Sequence, residues 1–269
     1  MFGREHTDRE YEHELRQLRE QLLVMGSHVE TIIGDSIKAL LDRDTPLAER
    51  TIQADKRVNR MEVELDGLCL QILARRQPVA SDLRFITLVL KVVTDLERIG
   101  DLGVNICERV VELNAEPQLK PYVDLPHMGR EVESMLREVL DAFVAKDAAR
   151  ARKIIDRDEV VDALYAQVFR ELLTFMMEDA HNVYRATRLQ SIAKYLERMA
   201  DHTTNLAEMV IFMVDGQDVR PLASSVASVV PIASPRLVRH LAASQVAHVL
   251  AVDHEDDHLG QVGPPSVPA

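Results

Sequence analysis

Two runs of acidic and amide side chains carry the chemistry this sequence offers. Glu97, Asp101, Asn105 and Glu108 recur at i, i+4, i+8 and i+11, and Glu197, Asp201, Asn205 and Glu208 repeat that spacing. On an α-helix such positions form one longitudinal stripe. Asp55, Asn59 and Glu62 make a shorter stripe upstream, answered later by Asp158 and Asp162. Like charges at i, i+4 repel by about 0.2–0.5 kcal/mol on an isolated helix, and by more where water is excluded, so something should compensate them. Spaced oxygen ligands on facing helices are how a helical bundle holds hard or borderline cations. The expectation is metal binding through Asp55, Asn59, Glu62, Glu97, Asp101, Asp158, Asp162, Glu197 and Asp201, with bridging carboxylates able to hold more than one ion per site. Any one of these acids, taken singly, reads as an ordinary solvated side chain. The same spacing on two helices of both halves favours the metal.

Other constellations are weaker. Glu10/His13 and Glu178/His181 have the Glu-x-x-His spacing of di-iron bundle enzymes, but they lie at helix ends and at unmatched positions. His254 and His258 stand four apart in an acidic tail. There is no phosphate-cradling Gly-rich loop, no Cys-x-x-Cys and no nucleophile in a recognisable setting, so no catalytic site is expected. Cys69 and Cys107 lie in apolar helical patterns and read as small buried thiols in a reducing compartment.

The elements that must position the stripes follow from the apolar pattern. Leu15, Leu18, Leu22, Met25, Val29, Ile32 and Leu40 trace a long first helix. A second follows Pro46 and a third follows Pro78. The second half repeats the plan, giving six long antiparallel helices in an all-α fold with no sheet. The halves are also related residue by residue. Thr94 to Asp101 matches Lys194 to Asp201 position for position, with each number moved by 100, while Ala39, Asp44, Ile52 and Asp55 match Ala142, Asp147, Ile155 and Asp158 with each moved by 103. One three-helix unit has been duplicated. The expected divisions are a first repeat over 1–116, a second over 127–216, and an irregular, low-complexity, flexible C-terminal tail over 221–269, in which 236–251 suits one amphipathic helix.

Composition narrows the partners. The 269 residues carry 32 Lys and Arg against 44 Asp and Glu, a formal net charge of −12, and are 46% hydrophobic but only 4% aromatic. Nucleic acid and anionic membranes are poor partners for such a surface, and cations are natural ones. The N-terminus runs straight into charged residues, and the apolar stretch 222–234 is too short to span a bilayer and is broken by Pro231. The expected location is the cytoplasm.

With the duplication, the motifs Leu96-Glu97-Arg98-Ile99-Gly100-Asp101 and Leu196-Glu197-Arg198-Met199-Ala200-Asp201, and the preceding Pro78-Val79-Ala80-Ser81-Asp82-Leu83-Arg84, the sequence resembles the PhoU family of phosphate-specific transport accessory regulators. Tyr11, Glu14 and Leu15 leading into the first seam, and Asp55, Asn59, Met61 and Glu62 on the next helix, are similar to it as well. The resemblance implies two three-helix bundles, each able to bind a multinuclear iron or zinc cluster, with manganese or magnesium as other candidates. Carried over, the first site uses Asp55, Glu97 and Asp101, and the second Asp158, Asp162, Glu197 and Asp201. Asn59 replaces an acid in the first site, and Tyr165 stands near the counterpart of Glu62 in the second, so the two sites are not expected to be equally occupied. Because a neutral amide donates less charge to a cation, the second site is expected to bind metal more tightly. The implied role is an adaptor, a homodimer held at the membrane through its partners. It links the phosphate ABC transporter ATPase to the phosphate sensor histidine kinase and restrains uptake and the starvation response. A metal-dependent di-iron enzyme and a metal-free helical scaffold are the alternatives.

Overall fold

The apolar seams become helices packed in two bundles. The computed structural model describes residues 2–76, 78 and 80–216, and among these there is no strand. The elements are α1 (Phe2–Asp42), α2 (Thr45–Arg76), α3 (Ala80–Asn114), α4 (Asp124–Ala145), α5 (Ala148–Asp156), α6 (Asp158–Glu178) and α7 (Val183–Asp215), with a 3-10 turn at Ala180–Asn182 before α7. The six expected helices are recovered except that the fifth is broken into α5 and α6. The break falls at Arg157, whose guanidinium reaches α4 and donates 2.6 Å hydrogen bonds to Glu131 and Glu138. It leaves Asp158 at the first position of α6, where the helix dipole favours an anion.

Helices α1, α2 and α3 form one bundle and α4, α5, α6 and α7 the other. They join along α3 against α7 and α1 against α4. Leu22 and Val29 on α1, Leu96 and Ile106 on α3, and Leu196 and Met199 on α7 are wholly buried. Each such side chain contributes about 1.5–3 kcal/mol relative to exposure. A Cβ on Gly129 of α4 would lie 2.6 Å from Ile37 Cγ1 of α1, so the bundles approach closely because that side chain is missing. Across the other half of the seam, Asp95 of α3, itself buried, meets His202 of α7 at 2.9 Å. Both thiols, Cys69 and Cys107, are buried and free, and burial pushes each up to about 12. No helix among the described residues is long and apolar enough to cross a membrane. The expectations placed on 221–269, including His254 and His258, fall outside the described residues.

The duplication is visible in the turns. Arg43 and Lys146 both take left-handed backbone, φ 52° and 53°, at the ends of α1 and α4. In each case the following Asp N–H closes onto the matched alanine carbonyl, Asp44 on Ala39 at 3.0 Å and Asp147 on Ala142 at 2.9 Å. This is a Schellman closure of the helix end. Each Asp then caps the next helix, with Asp44 Oδ1 accepting from the Leu47 N–H and Asp147 Oδ1 from the Arg150 N–H, both at 2.9 Å. The sequence identities 39/142 and 44/147 are therefore one turn used twice. Asp44→Ala and Asp147→Ala should each lower unfolding free energy by about 0.5–2 kcal/mol in urea titrations. No loss at either position would show that the cap is dispensable.

Candidate functional site

Each bundle seats its acids between its last two long helices. In the first bundle, Asp55 lies in the middle of an unbroken α2 and is only 5% exposed. It faces Gly100 of α3, where a Cβ would stand 2.8 Å from Asp55 Oδ1, so the glycine admits the carboxylate against the neighbouring backbone. Burial raises its pKa, Asp101 adds repulsion, and a hydrogen bond from Asn59 partly offsets both. Glu97 is pushed up to about 7 by burial and then by Asp101, Glu62 and Asp55, and its protonated form donates a hydrogen bond to Asp101. Glu62 is raised by burial, Asp66 and Asp101. Asp55 forms a buried floor, while Asn59 and Asp101 stand exposed at the mouth.

The second bundle repeats this plan with a different charge balance. Asp158 is pushed up to about 6 by burial and by Asp162, Asp201 and Glu197. Asp162 and Asp201 are raised by partial burial and by Glu197, but Lys194 opposes both shifts. Lys194 Nζ donates to both Glu197 oxygens, at 2.8 and 2.6 Å, and lies 5.6 Å from the centre of the Tyr165 ring. The corresponding position in the first repeat is Thr94, whose hydroxyl is spent on the Leu90 carbonyl. The second cluster therefore contains its own ammonium, and no cation opposes the shifts at Asp55, Glu62 or Glu97.

All nine expected ligands fall in these two clusters. Two further residues join the clusters: Asp66, one turn beyond Glu62, and Lys194, at the head of the repeated motif. The far ends of the stripes behave differently. Glu108 pairs with Arg109 at 3.7 Å, and His202 turns to Asp95 in the seam between bundles. The Glu-x-x-His pairs do not reach a core site. Glu10 pairs with Arg76 at 3.1 Å, His13 is exposed, and His181 contacts Asp179 on the surface at 2.8 Å. Neither pair, as placed, brings a His ligand to the carboxylate clusters.

Among the described residues, no three His, Cys, Asp or Glu side chains converge closely enough to enclose an ion as they stand. The donor set nevertheless fits a cation. Asp55 Oδ1 and Asp158 Oδ1, at matched positions of the two repeats, are both buried without a hydrogen-bond partner, as is Asp66 Oδ1. A buried acceptor left unpaired costs about 1–3 kcal/mol, and a cation is the ligand that a cluster of such acceptors favours.

An all-α protein of two tandem three-helix units, each with a carboxylate cluster between its second and third helices, is the class these observations define. The PhoU domain profile matches twice, at residues 22–110 and 125–210. The chain is 42% identical over 216 residues to the phosphate-specific transport system accessory protein PhoU homolog of Pseudomonas aeruginosa, covering 80% of this chain and 89% of that protein. It is 38% identical over 215 residues to PhoU of Escherichia coli, again covering 80% and 89%. Two crystal structures share the fold: PhoU from Pseudomonas aeruginosa, with TM-score 0.75 and 41% identity over 77% of this chain and all of that one, and the phosphate transport system regulatory protein PhoU from Streptococcus pneumoniae, with TM-score 0.72 and 29% identity over 78% and 100%. This chain belongs to the PhoU family.

The raised carboxyls make stability fall with pH. The folded-state pKa of Glu97, about 7, lies above its ordinary 4.5, so the folded state holds the proton more tightly than the unfolded chain. The penalty is absent below the ordinary value, grows as pH rises and is complete above about 7. Asp158 adds the same effect between 3.8 and about 6. The thermal midpoint of chelator-treated protein should therefore drop from about pH 5 to about pH 7, and Glu97→Gln should raise the midpoint at the upper end and flatten the profile. Equal slopes for variant and parent would contradict the assignment.

Proposed function

We propose that this protein is an accessory regulator of phosphate transport that acts by binding rather than catalysis, and that its two carboxylate clusters hold metal ions. The match of both repeats to relatives named phosphate-specific transport accessory proteins carries the first part. In this reading it works at the cytoplasmic side of the membrane through its partners. It connects the transporter ATPase to the phosphate sensor kinase and restrains uptake and the starvation response when phosphate is plentiful. Rigid bundles with acidic faces suit an adaptor for basic partner surfaces.

The orphaned Asp55 and Asp158 oxygens support the metal reading. The first site would use Asp55, Glu62, Glu97 and Asp101 with the Asn59 amide, and the second Asp158, Asp162, Glu197 and Asp201. Oxygen donors suit iron, manganese and magnesium, and zinc less well. A bound ion would neutralise the cluster and tie α2 to α3, or α6 to α7. We propose an order of affinity opposite to the one expected from the ligand sets alone. Asn59 weakens the first site by one neutral ligand, but Lys194 already neutralises part of the second, so we place the tighter site in the first repeat.

Metal titration followed by elemental analysis checks this directly. Asp55→Asn/Asp101→Asn should lower metal affinity at the first site by about tenfold or more and abolish its share of the metal-induced rise in thermal midpoint. Lys194→Ala should tighten the second site. Unchanged metal content and midpoint in both carboxylate-deleted repeats would leave a metal-free scaffold. For the cellular role, a strain lacking the gene and grown in high phosphate should express its phosphate-starvation genes; continued repression would count against the regulator.

A further inference from the structure

Helix α2 has a second functional flank. Away from the acid cluster, a cavity of about 220 Å3 opens between α1 and α2. We propose that it binds a phosphate group, as free hydrogenphosphate or as a phosphomonoester, through Arg57 and Arg60.

The donors and charges facing this cavity suit that ligand. Arg57 and Arg60 lie one turn apart on α2 and line the cavity. Among the described residues neither has a carboxylate within ion-pair distance; Arg60 spends only its Nε, on the Lys56 carbonyl at 3.3 Å. Guanidinium forks free of carboxylates match the paired oxygens of a tetrahedral oxyanion. From α1, His28 presents Nε2, buried and without a hydrogen-bond partner. Burial and the charge of Arg57 hold its pKa down, and an anion beside it would reverse that bias. The Gln53 amide adds a neutral donor at the rim. The hydroxyl protons of Thr31 and Thr51 are committed to the Ser27 and Leu47 carbonyls, both at 2.9 Å, so specificity does not come from them.

Asp35 supplies the discrimination. Among the described residues it is the one acid lining the cavity. It repels a fully deprotonated oxyanion and accepts a hydrogen bond from a protonated one. Near neutral pH hydrogenphosphate carries such a proton and sulfate carries none. A phosphomonoester meets the same requirement with a hydroxyl of its organic part, and the cavity has room beyond the phosphate itself. The proposal is independent of the metal and adaptor readings, because it uses neither cluster and no partner.

Isothermal titration of the full chain with chelator present, so that no metal-bound phosphate contributes, tests it. Inorganic phosphate should bind saturably, and sulfate about tenfold or more weakly. Arg57→Ala/Arg60→Ala should weaken phosphate by about tenfold or more while the circular dichroism spectrum is kept, and Asp35→Asn should erase the preference over sulfate. Glycerol 2-phosphate binding more tightly than inorganic phosphate would identify a phosphorylated metabolite as the natural source; the opposite order would identify the free ion. Absence of saturable binding by both phosphate probes, undiminished binding by the double arginine variant, or equal affinity for sulfate in the parent protein would overturn the proposal.

Discussion

Carboxylates that face one another across a helix seam, from a buried or half-buried floor to an exposed mouth, set the main constraint on this molecule. Glu97 and Asp158 are held far above ordinary carboxyl behaviour by burial first and by neighbouring acids second. The apolar packing around Leu96, Ile99, Leu196 and Met199, all wholly buried, holds the helices together against that repulsion. Whatever neutralises the clusters, protons, Lys194 or a cation, acts on the spacing of α2 from α3 and of α6 from α7. Since α3 and α7 also pack against each other, each cluster lies on a helix that forms the seam between bundles.

The two repeats share turns and diverge in electrostatics. The left-handed residue and capping aspartate are retained at 43–44 and 146–147, where backbone geometry leaves little choice. Gly100 lets Asp55 approach α3 from an unbroken helix, while its counterpart Ala200 belongs to a repeat whose helix breaks just before Asp158. Thr94 becomes Lys194, and Asp95 and His202 have no ionisable pair at the mirrored positions, Tyr195 and Leu102. One cluster is thus internally neutralised in part, the other is not, and α3 is tied to α7 by two polar pairs, Asp95 with His202 and Glu112 with Arg188.

Charge is also segregated across α2. Its α3 side gathers acids, and its α1 side gathers Arg57 and Arg60 beside His28. A net charge of −12 hides this, because a sum over the chain carries no information about which flank of which helix a charge occupies.

Helical periodicity, the punctuation by Pro46 and Pro78, and the residue-by-residue match of the halves made the all-α fold, the duplication and the nine cluster residues legible before any coordinates. These are properties of one helix at a time or of comparison along the chain. The break at Arg157 was not legible, because it depends on Glu131 and Glu138 from another helix. Nor was the capture of Glu197 by Lys194, the turn of His202 toward Asp95, or the basic cavity shared by α1 and α2. Spacing places residues on a stripe; the rotation and approach of neighbouring helices, set by close contacts such as Gly129 on Ile37, decide which stripes meet and which charges they find there.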